Sequence, residues 1–477
     1  MKAKVGATAI AAVVLMLTVL WSTAAGGTRE ASTARHAQAV TQLWGRRYDN
    51  KGGVAHAVAF AAGGSKVLVA GMPANAMHLV SYDGATGGQL SDYFYADEFG
   101  PRRGDAAALV ANADGSRVYF TGGVMSAEWQ HTGYDYETLA FVESGSGSGW
   151  IHRYDPGAHG DDISTAIAVA PLGARVFVTG YSTNAAGNFD YATVAINAST
   201  GKRIWARRYS GAAGGDDRPT AIAVSHDGSA VYVTGESVGT AGTHDYETIA
   251  YDAGNGAQLW QRRYDGPAGG EDVPRAIAAS PDGSAVYVTG SVTNTTGGTN
   301  NDDFGTIAYD AATGATRWVA IYSGEAATGA DDARAIAVSP NGTKIFVTGP
   351  SSNGANLDYT TIAYGTHGGV VWLNRYNGPA DLDDVSNALA VSHDGSQVFV
   401  TGGSQNGASS GEDYATIGIG STTGRQLWHR RNNGAGGPAE ASAIAVSPDG
   451  SKLVVTGKSA QSPGGTTDWS TLVYSTG

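Results

Sequence analysis

The chain has 477 residues, 70 of them glycine, no cysteine, and a formal net charge of −13 at pH 7. Without thiols it can hold no disulfide, thiolate metal site, cysteine nucleophile, lipid-modified N-terminal cysteine or attached c-type haem. The acidic balance disfavours nucleic acid and anionic lipid as partners, and the glycines punctuate apolar alternating runs, which argues for tight turns over disorder.

Residues 1–25 read as a secretory signal peptide. A charged start at Lys2 and Lys4 is followed by an apolar run from Val5 to Trp21 and by small residues ending at Ala24 and Ala25, where cleavage is expected. An uncleaved anchor helix is the alternative, since the run is near the lower limit for spanning a bilayer. The expected address is therefore secreted or cell-surface, with no membrane span after cleavage. Residues 26–40 are a patternless linker rich in small residues.

From residue 41 onward four phrases alternate, each occurring eight times. The first holds a tryptophan, as in LWGRRYD at Leu43 and WQRRYD at Trp260, with a degenerate copy from Gln89. The second is small, AIAVS, as at Ala166, Ala221 and Ala443. The third is VYVTG, closing at Gly71 in its first copy and at Gly457 in its last. The fourth is TIAYD, as at Thr248. Each is four to seven residues, rich in Val, Ile, Tyr and Thr and bounded by turn residues, so each predicts a strand. Ser280-Pro281-Asp282-Gly283-Ser284 and Asn255-Gly256 predict tight turns. Four strands per unit of about 55 residues predict an all-β, eight-bladed β-propeller of antiparallel strands over 41–477. A linear solenoid would need atypical end repeats, and neither end shows one.

The phrase with the smallest side chains belongs innermost, where converging blades leave least room, and the tryptophan phrase outermost. The chain then starts with a single outer strand, Leu43–Tyr48, and ends one strand short of a blade. Pairing the first strand with the last blade leaves no open sheet edge at the seam, so the ring is expected to close that way and the protein to be a monomer.

The acidic pair, AIAV, turn and VYVTG resemble the bacterial β-propeller repeat (SBBP) family over residues 41–477, a resemblance that implies fold and little function. Asp310-Ala-Ala-Thr-Gly-Ala-Thr-Arg-Trp318 and Asn197-Ala-Ser-Thr-Gly-Lys-Arg-Ile-Trp205 are similar to the repeats of eight-bladed quinoproteins, though one residue shorter. That resemblance implies that Trp205, Trp260 and Trp318 dock between blades. It does not imply the quinoprotein activity, because the vicinal disulfide of the alcohol dehydrogenases is impossible here, and PQQ is not expected as a cofactor.

Alternating strand direction puts the loop before AIAVS and the loop after VYVTG on one face, here the top, where propellers carry their sites. Acidic residues recur there, and Asp162, Asp217, Asp272, Asp331 and Asp384 form a candidate arc for Ca²⁺ or another cation. The competing role is structural, a carboxylate accepting backbone N–H bonds at its turn, and repetition in five blades favours it. The recurring Asp-aromatic-x-Thr phrase (Asp245-Tyr246, Asp358-Tyr359 and their equivalents) likewise suits loop capping and packing between blades. Blades 8, 1 and 2 break the pattern. Their sector holds Arg102, Arg103, Glu128, Trp129, His131 and His78, a mixed basic, aromatic and acidic candidate binding site for a small molecule, glycan or protein. Drift of the N-terminal repeats is the competing explanation. Gly407-Ala-Ser409-Ser-Gly411 fits a nucleophile motif but sits in a blade loop, so catalysis is the secondary expectation, as a quinoprotein-like oxidoreductase or another propeller enzyme.

Overall fold

A computed structural model describes residues 40–476, except 49–52, 74–76, 95, 98–99, 102–103, 113, 126–132, 143–147, 158–159, 297–298, 326–328, 408–410, 434–436 and 461–464. The expected signal peptide, the linker up to residue 39, and Arg102, Arg103, Glu128, Trp129, His131 and Ser409 lie outside the described residues.

The expected fold is the observed one. Eight four-stranded antiparallel sheets follow one another along the chain. Blade 1 spans 53–94, blade 2 104–154, blade 3 162–209, blade 4 217–264, blade 5 273–322, blade 6 335–376, blade 7 384–432 and blade 8 439–475. A two-residue ribbon, Ala96–Asp97 against Gly100–Pro101, sits between blades 1 and 2. Each innermost strand meets that of the next blade, and that of blade 8 meets that of blade 1, so the ring is closed. The closing strand is Gln42–Tyr48, which pairs antiparallel with Thr467–Ser475 as the outermost strand of blade 8.

Burial follows radius. The third strand of blade 4, His244–Asp252, is buried at every position but its two ends, while the outermost strand beside it, Gln258–Tyr264, buries its tryptophan and leaves its neighbours at least partly exposed. The inner strands are sandwiched between blades and need apolar residues on both faces; the outer strand faces water on one side. Core clusters therefore straddle blades: Trp205 of blade 3 packs with Val231, Val233, Ile249 and Tyr251 of blade 4.

Three side-chain devices recur at the junctions between blades. Trp150, Trp205, Trp260 and Trp372 donate Nε1–H to backbone carbonyls of the following blade, at Ala198, Ala253, Ala311 and Ser421 and 2.8–3.1 Å. The docking expected of Trp205, Trp260 and Trp318 is thus seen, Trp318 reaching the Thr366 carbonyl at 2.9 Å. Gly256 receives the Trp205 ring: its φ is +72°, and a Cβ there would stand 2.7 Å from the indole, so both the backbone and the packing require glycine. The second device is a tyrosine hydroxyl. Tyr136, Tyr359 and Tyr414 donate to Ala192, Ala415 and Ser470 of the next blade at 3.0–3.2 Å, as the packing role assigned to the Asp-aromatic phrase requires. The third lies on the innermost strands. Those of blades 1 to 5, 7 and 8 are bulged just before AIAV, and in blades 3 and 4 the threonine in the bulge reaches the next blade, Thr165 to the Pro219 carbonyl (2.8 Å) and Thr220 to that of Pro274 (2.7 Å).

Candidate functional site

The top face is built from the loops that leave each outermost strand and enter the next innermost one. The five aspartates of the expected arc occupy one repeated place in it. All are almost wholly buried. Asp217 accepts the Gly211 N–H at 2.6 Å, Asp331 that of Gly324 and Asp384 that of Gly378, each at 2.5 Å, and Asp272 accepts the N–H groups of Gly266 and, at 2.7 Å, Thr293. These carboxylates clasp the crossing loop, the structural role weighed from the sequence. Among the described residues, no group of three carboxylates within 4.8 Å contains two of the five, so they are separate positions around the ring.

Asp162 stands apart. The residue matching Gly211 and Gly266 is Pro156, which has no N–H to give. Asp162 is 2% exposed and its Oδ1 has no hydrogen-bond partner. Burial pushes its carboxyl up to about 7, against the Ser182 hydroxyl and with Asp155 and Asp135 adding to the rise. Burial likewise raises Asp272, to about 6, against the two backbone donors.

Behind this layer runs an arginine from each of six outermost strands. Arg208, Arg263 and Arg431 reach Asp190, Asp245 and Asp413 at 2.8–3.1 Å, and Arg153, Arg375 and Arg47 approach Asp135, Asp358 and Asp468 at 3.4–3.8 Å. Blade 5 has Ile321 in that place, and there Asn294, Asn301 and Ser323 donate to Asp303 instead. Buried Glu247 accepts from the Tyr209 hydroxyl of the preceding blade at 3.0 Å, and burial pushes its carboxyl up to about 7.

His78 is placed in a junction. It is 7% exposed and lies between blade 8 and blade 1, its Nδ1 3.4 Å from both the Tyr48 hydroxyl and Asp92, with Tyr48 donating to Asp92 at 2.5 Å. Burial lowers its pKa, and Asp92 opposes the shift. It fills the position of Glu247 in blade 4 and packs beside Trp469, ring centroids 6.4 Å apart.

Sequence reasoning missed a belt of polar side chains nearest the axis. The residues just before the small-residue phrase in blades 5, 6 and 7 are Arg275, Arg334 and Asn387. Asp332 accepts from Arg275 (3.2 Å) and Arg334 (3.0 Å); Arg334 donates to Asn387 (2.7 Å), and Asn387 to Glu440 (2.9 Å). Glu440 is held by Lys458 at 2.7 Å and, despite burial, its carboxyl lies below the usual range. The chain of contacts crosses blades 5 to 8, whereas blades 3 and 4 carry only threonine in the bulge. The available signal was the residue just before AIAV, threonine in blades 3 and 4 and arginine or asparagine in blades 5 to 7.

A family model described as outer membrane protein assembly factor BamB, of the PQQ repeat type, matches residues 147–302, in line with the quinoprotein-like phrases around Trp205 and Trp318. No curated protein matches the chain. Among solved structures, the Dos1 propeller is 11% identical, with 92% of this chain and 95% of that one covered and a TM-score of 0.59. Sqt1 from Chaetomium thermophilum is 13% identical, with 91% and 99% covered and a TM-score of 0.59. Sqt1 from the same organism bound to the N-terminus of ribosomal protein L10 is 13% identical, with 89% and 97% covered and a TM-score of 0.56. At these identities the likeness is one of fold. No helix among the described residues is long and apolar enough to cross a membrane.

Proposed function

We propose that the chain is an exported propeller scaffold that binds a protein partner on its top face. The observation that carries the reading is asymmetry. The repeated tryptophans and tyrosines join blades, the arginines pair with aspartates of their own blade and the clasping aspartates hold the crossing loops, while the belt from Arg275 to Lys458 runs over blades 5 to 8 alone. A site on a repeat scaffold belongs where the repeat is broken. In the sequence, the stretch with Arg102, Arg103, Glu128, Trp129 and His131 is the other place where the repeat is broken. The Sqt1 structure, a propeller of similar fold bound to a protein N-terminus, supports a protein as the partner. The outer-membrane description of the matching family model, together with the N-terminal signal-like segment, supports an envelope or extracellular address.

The test is in-cell cross-linking of the exported protein in its native host, comparing the wild type with Arg103→Ala/Trp129→Ala and with Arg334→Ala. Both variants should melt within a few degrees of the wild type and lose the cross-linked partner. A wild type that yields no specific partner, or variants that retain it in full, would end this reading.

The match over 147–302 favours one second reading, a quinoprotein-like oxidoreductase. Reconstitution with PQQ and Ca²⁺ decides it: bound quinone absorbs in the near ultraviolet and supports dye-linked oxidation of an alcohol, and failure of both removes the reading.

A further inference from the structure

We infer that the outer rim between blades 5 and 6 holds a recess, floored by Trp318, that receives an arginine side chain of a partner protein. The other junctions show what belongs in that place. Six outermost strands dock an indole on a glycine of the next blade's turn, through Trp44, Trp150, Trp205, Trp260, Trp318 and Trp372. In five of them the residue two places later donates to a carbonyl of the same turn. Arg46 reaches the Gly87 and Thr86 carbonyls at 2.7 and 2.9 Å, and Arg207 those of Gly256 and Asn255 at 2.7 and 2.8 Å. Arg262 reaches the Thr313 carbonyl at 2.8 Å, while His152 and Asn374 reach those of Gly201 and Gly424 at 3.0 Å. Indole burial follows the length of this neighbour. Trp44, Trp205 and Trp260, beside arginine, are 5–6% exposed; Trp150 and Trp372, beside histidine and asparagine, are 8–9% exposed.

Blade 5 has Ala320 in that place. Trp318 still docks on Gly368 and donates to the Thr366 carbonyl, but it alone of the six is only partly buried. No side chain among the described residues donates to the His367 or Gly368 carbonyl. The facing wall is apolar. Leu373 shares a face of its strand with Arg375, and Arg375 points at blade 5, donating to the Tyr322 hydroxyl at 3.2 Å. Leu373 therefore faces Trp318 and Ala320, and it stays exposed. The rim around it is apolar too. Blade 5 exposes Val319 and Ile321, and blade 6 exposes Val370, Val371 and Leu373, whereas every other outermost strand exposes one large hydrophobic residue among those described. Phe304 has also removed the tyrosine bond at this junction.

A guanidinium fits this place best. Being planar, it bridges two adjacent turn carbonyls, as Arg46 and Arg207 do, and its stem packs on the indole and on Leu373, whereas a lysine ammonium is a point charge. The net charge of −13 attracts a basic partner, and the apolar rim suits apolar residues flanking the arginine. The recess is separate from the top face and stands whether or not that face binds a protein.

The test is titration of the blocked peptide acetyl-Leu-Arg-Leu-amide into the chain starting at residue 26, isotopically labelled at tryptophan nitrogen and read by NMR through its indole N–H signals. The Trp318 signal is the one missing in Trp318→Phe. Millimolar peptide should shift it saturably and leave the other indole signals in place. The same peptide with glutamine for arginine should bind at least about tenfold more weakly. Ala320→Arg supplies the missing side chain from within, so it should melt no lower than the wild type and no longer respond. Leu373→Lys, at an exposed position, sets a like charge on the wall and should weaken binding about tenfold. The assignment is overturned if millimolar peptide leaves the Trp318 signal unmoved, if the glutamine peptide shifts it equally, or if either variant, folded by its melt, binds the peptide as tightly as the wild type.

Discussion

The junctions among blades 3 to 7 and the junction that closes the ring do the same mechanical task with different chemistry. In the regular junctions an indole docks on a glycine turn and, except at Phe304 of blade 5, a tyrosine hydroxyl reaches the next blade. At the closure Trp44 still docks, on the Gly84 carbonyl at 3.2 Å, but Trp469 stands in the tyrosine's place and packs against Tyr48, ring centroids 5.3 Å apart. Tyr48, His78 and Asp92 supply the polar contacts that Glu247 and Tyr209 supply between blades 3 and 4. The difference teaches that the repeat conserves a volume and a polar partner at each junction, and that identity may change where both are kept. His78, a candidate ligand group in the sequence, stands at one of these replaced positions.

Breaking the closure should give the largest effect. A chain starting at residue 49 loses the outermost strand of blade 8 and the Trp44 dock, exposing the edge of Thr467–Ser475. It should lose its cooperative melt by circular dichroism or associate through the open edge. A monomer melting like the chain from residue 26 would refute closure as the source of stability. Next come the tryptophans. Trp205→Ala, which empties a site buried between two blades, should cost about 3–5 kcal/mol in urea unfolding. Trp428→Ala should cost less, because Trp428 is only partly buried and bonds to Gln397 of its own blade, which in turn donates to the Thr476 carbonyl. Equal losses would mean that the Gln397 relay docks as firmly as a direct bond.

Two glycines sharpen the same point at smaller scale. Gly256 and Gly283 have φ values of +72° and +70°, but an added Cβ at Gly283 meets nothing within 4 Å, whereas at Gly256 it meets the Trp205 ring. Gly283→Ala should cost about 1 kcal/mol of backbone strain, and Gly256→Ala clearly more, with the excess measuring the clash. The smallest expected effect is on pH dependence. The Glu247 carboxyl is raised to about 7 from an ordinary value near 4.5, so between those values the folded state holds a proton that the unfolded chain has released. Its contribution to stability therefore falls as pH rises through that window. Glu247→Gln should flatten the decline of Tm between pH 5 and 8, measured in EDTA, by on the order of a few degrees. An unchanged slope would assign the decline to other groups, with the aspartates raised by burial next in line.

The fold was legible because everything that specifies it repeats within about one blade length. Period-2 runs, turn residues and the position of AIAV give four strands, their radial order and the closing strand without knowledge of any contact. The tryptophan docking followed from the resemblance around Trp205 and Trp318. The aspartates were legible as a pattern, and their two possible roles were both visible. Which role each takes was decided by the tertiary structure, because the donors come from a crossing loop and from a neighbouring strand. The consequence of proline at position 156, the recess beside Trp318, and the belt from Arg275 to Lys458 all depend on side chains that meet only when blades pack. The sequence by itself thus determined the ring, since local periodicity and the need to bury two faces of every inner strand leave few other solutions. Only the tertiary structure decided where that ring has polar groups left over, since satisfaction of a buried carboxylate depends on partners supplied across blades.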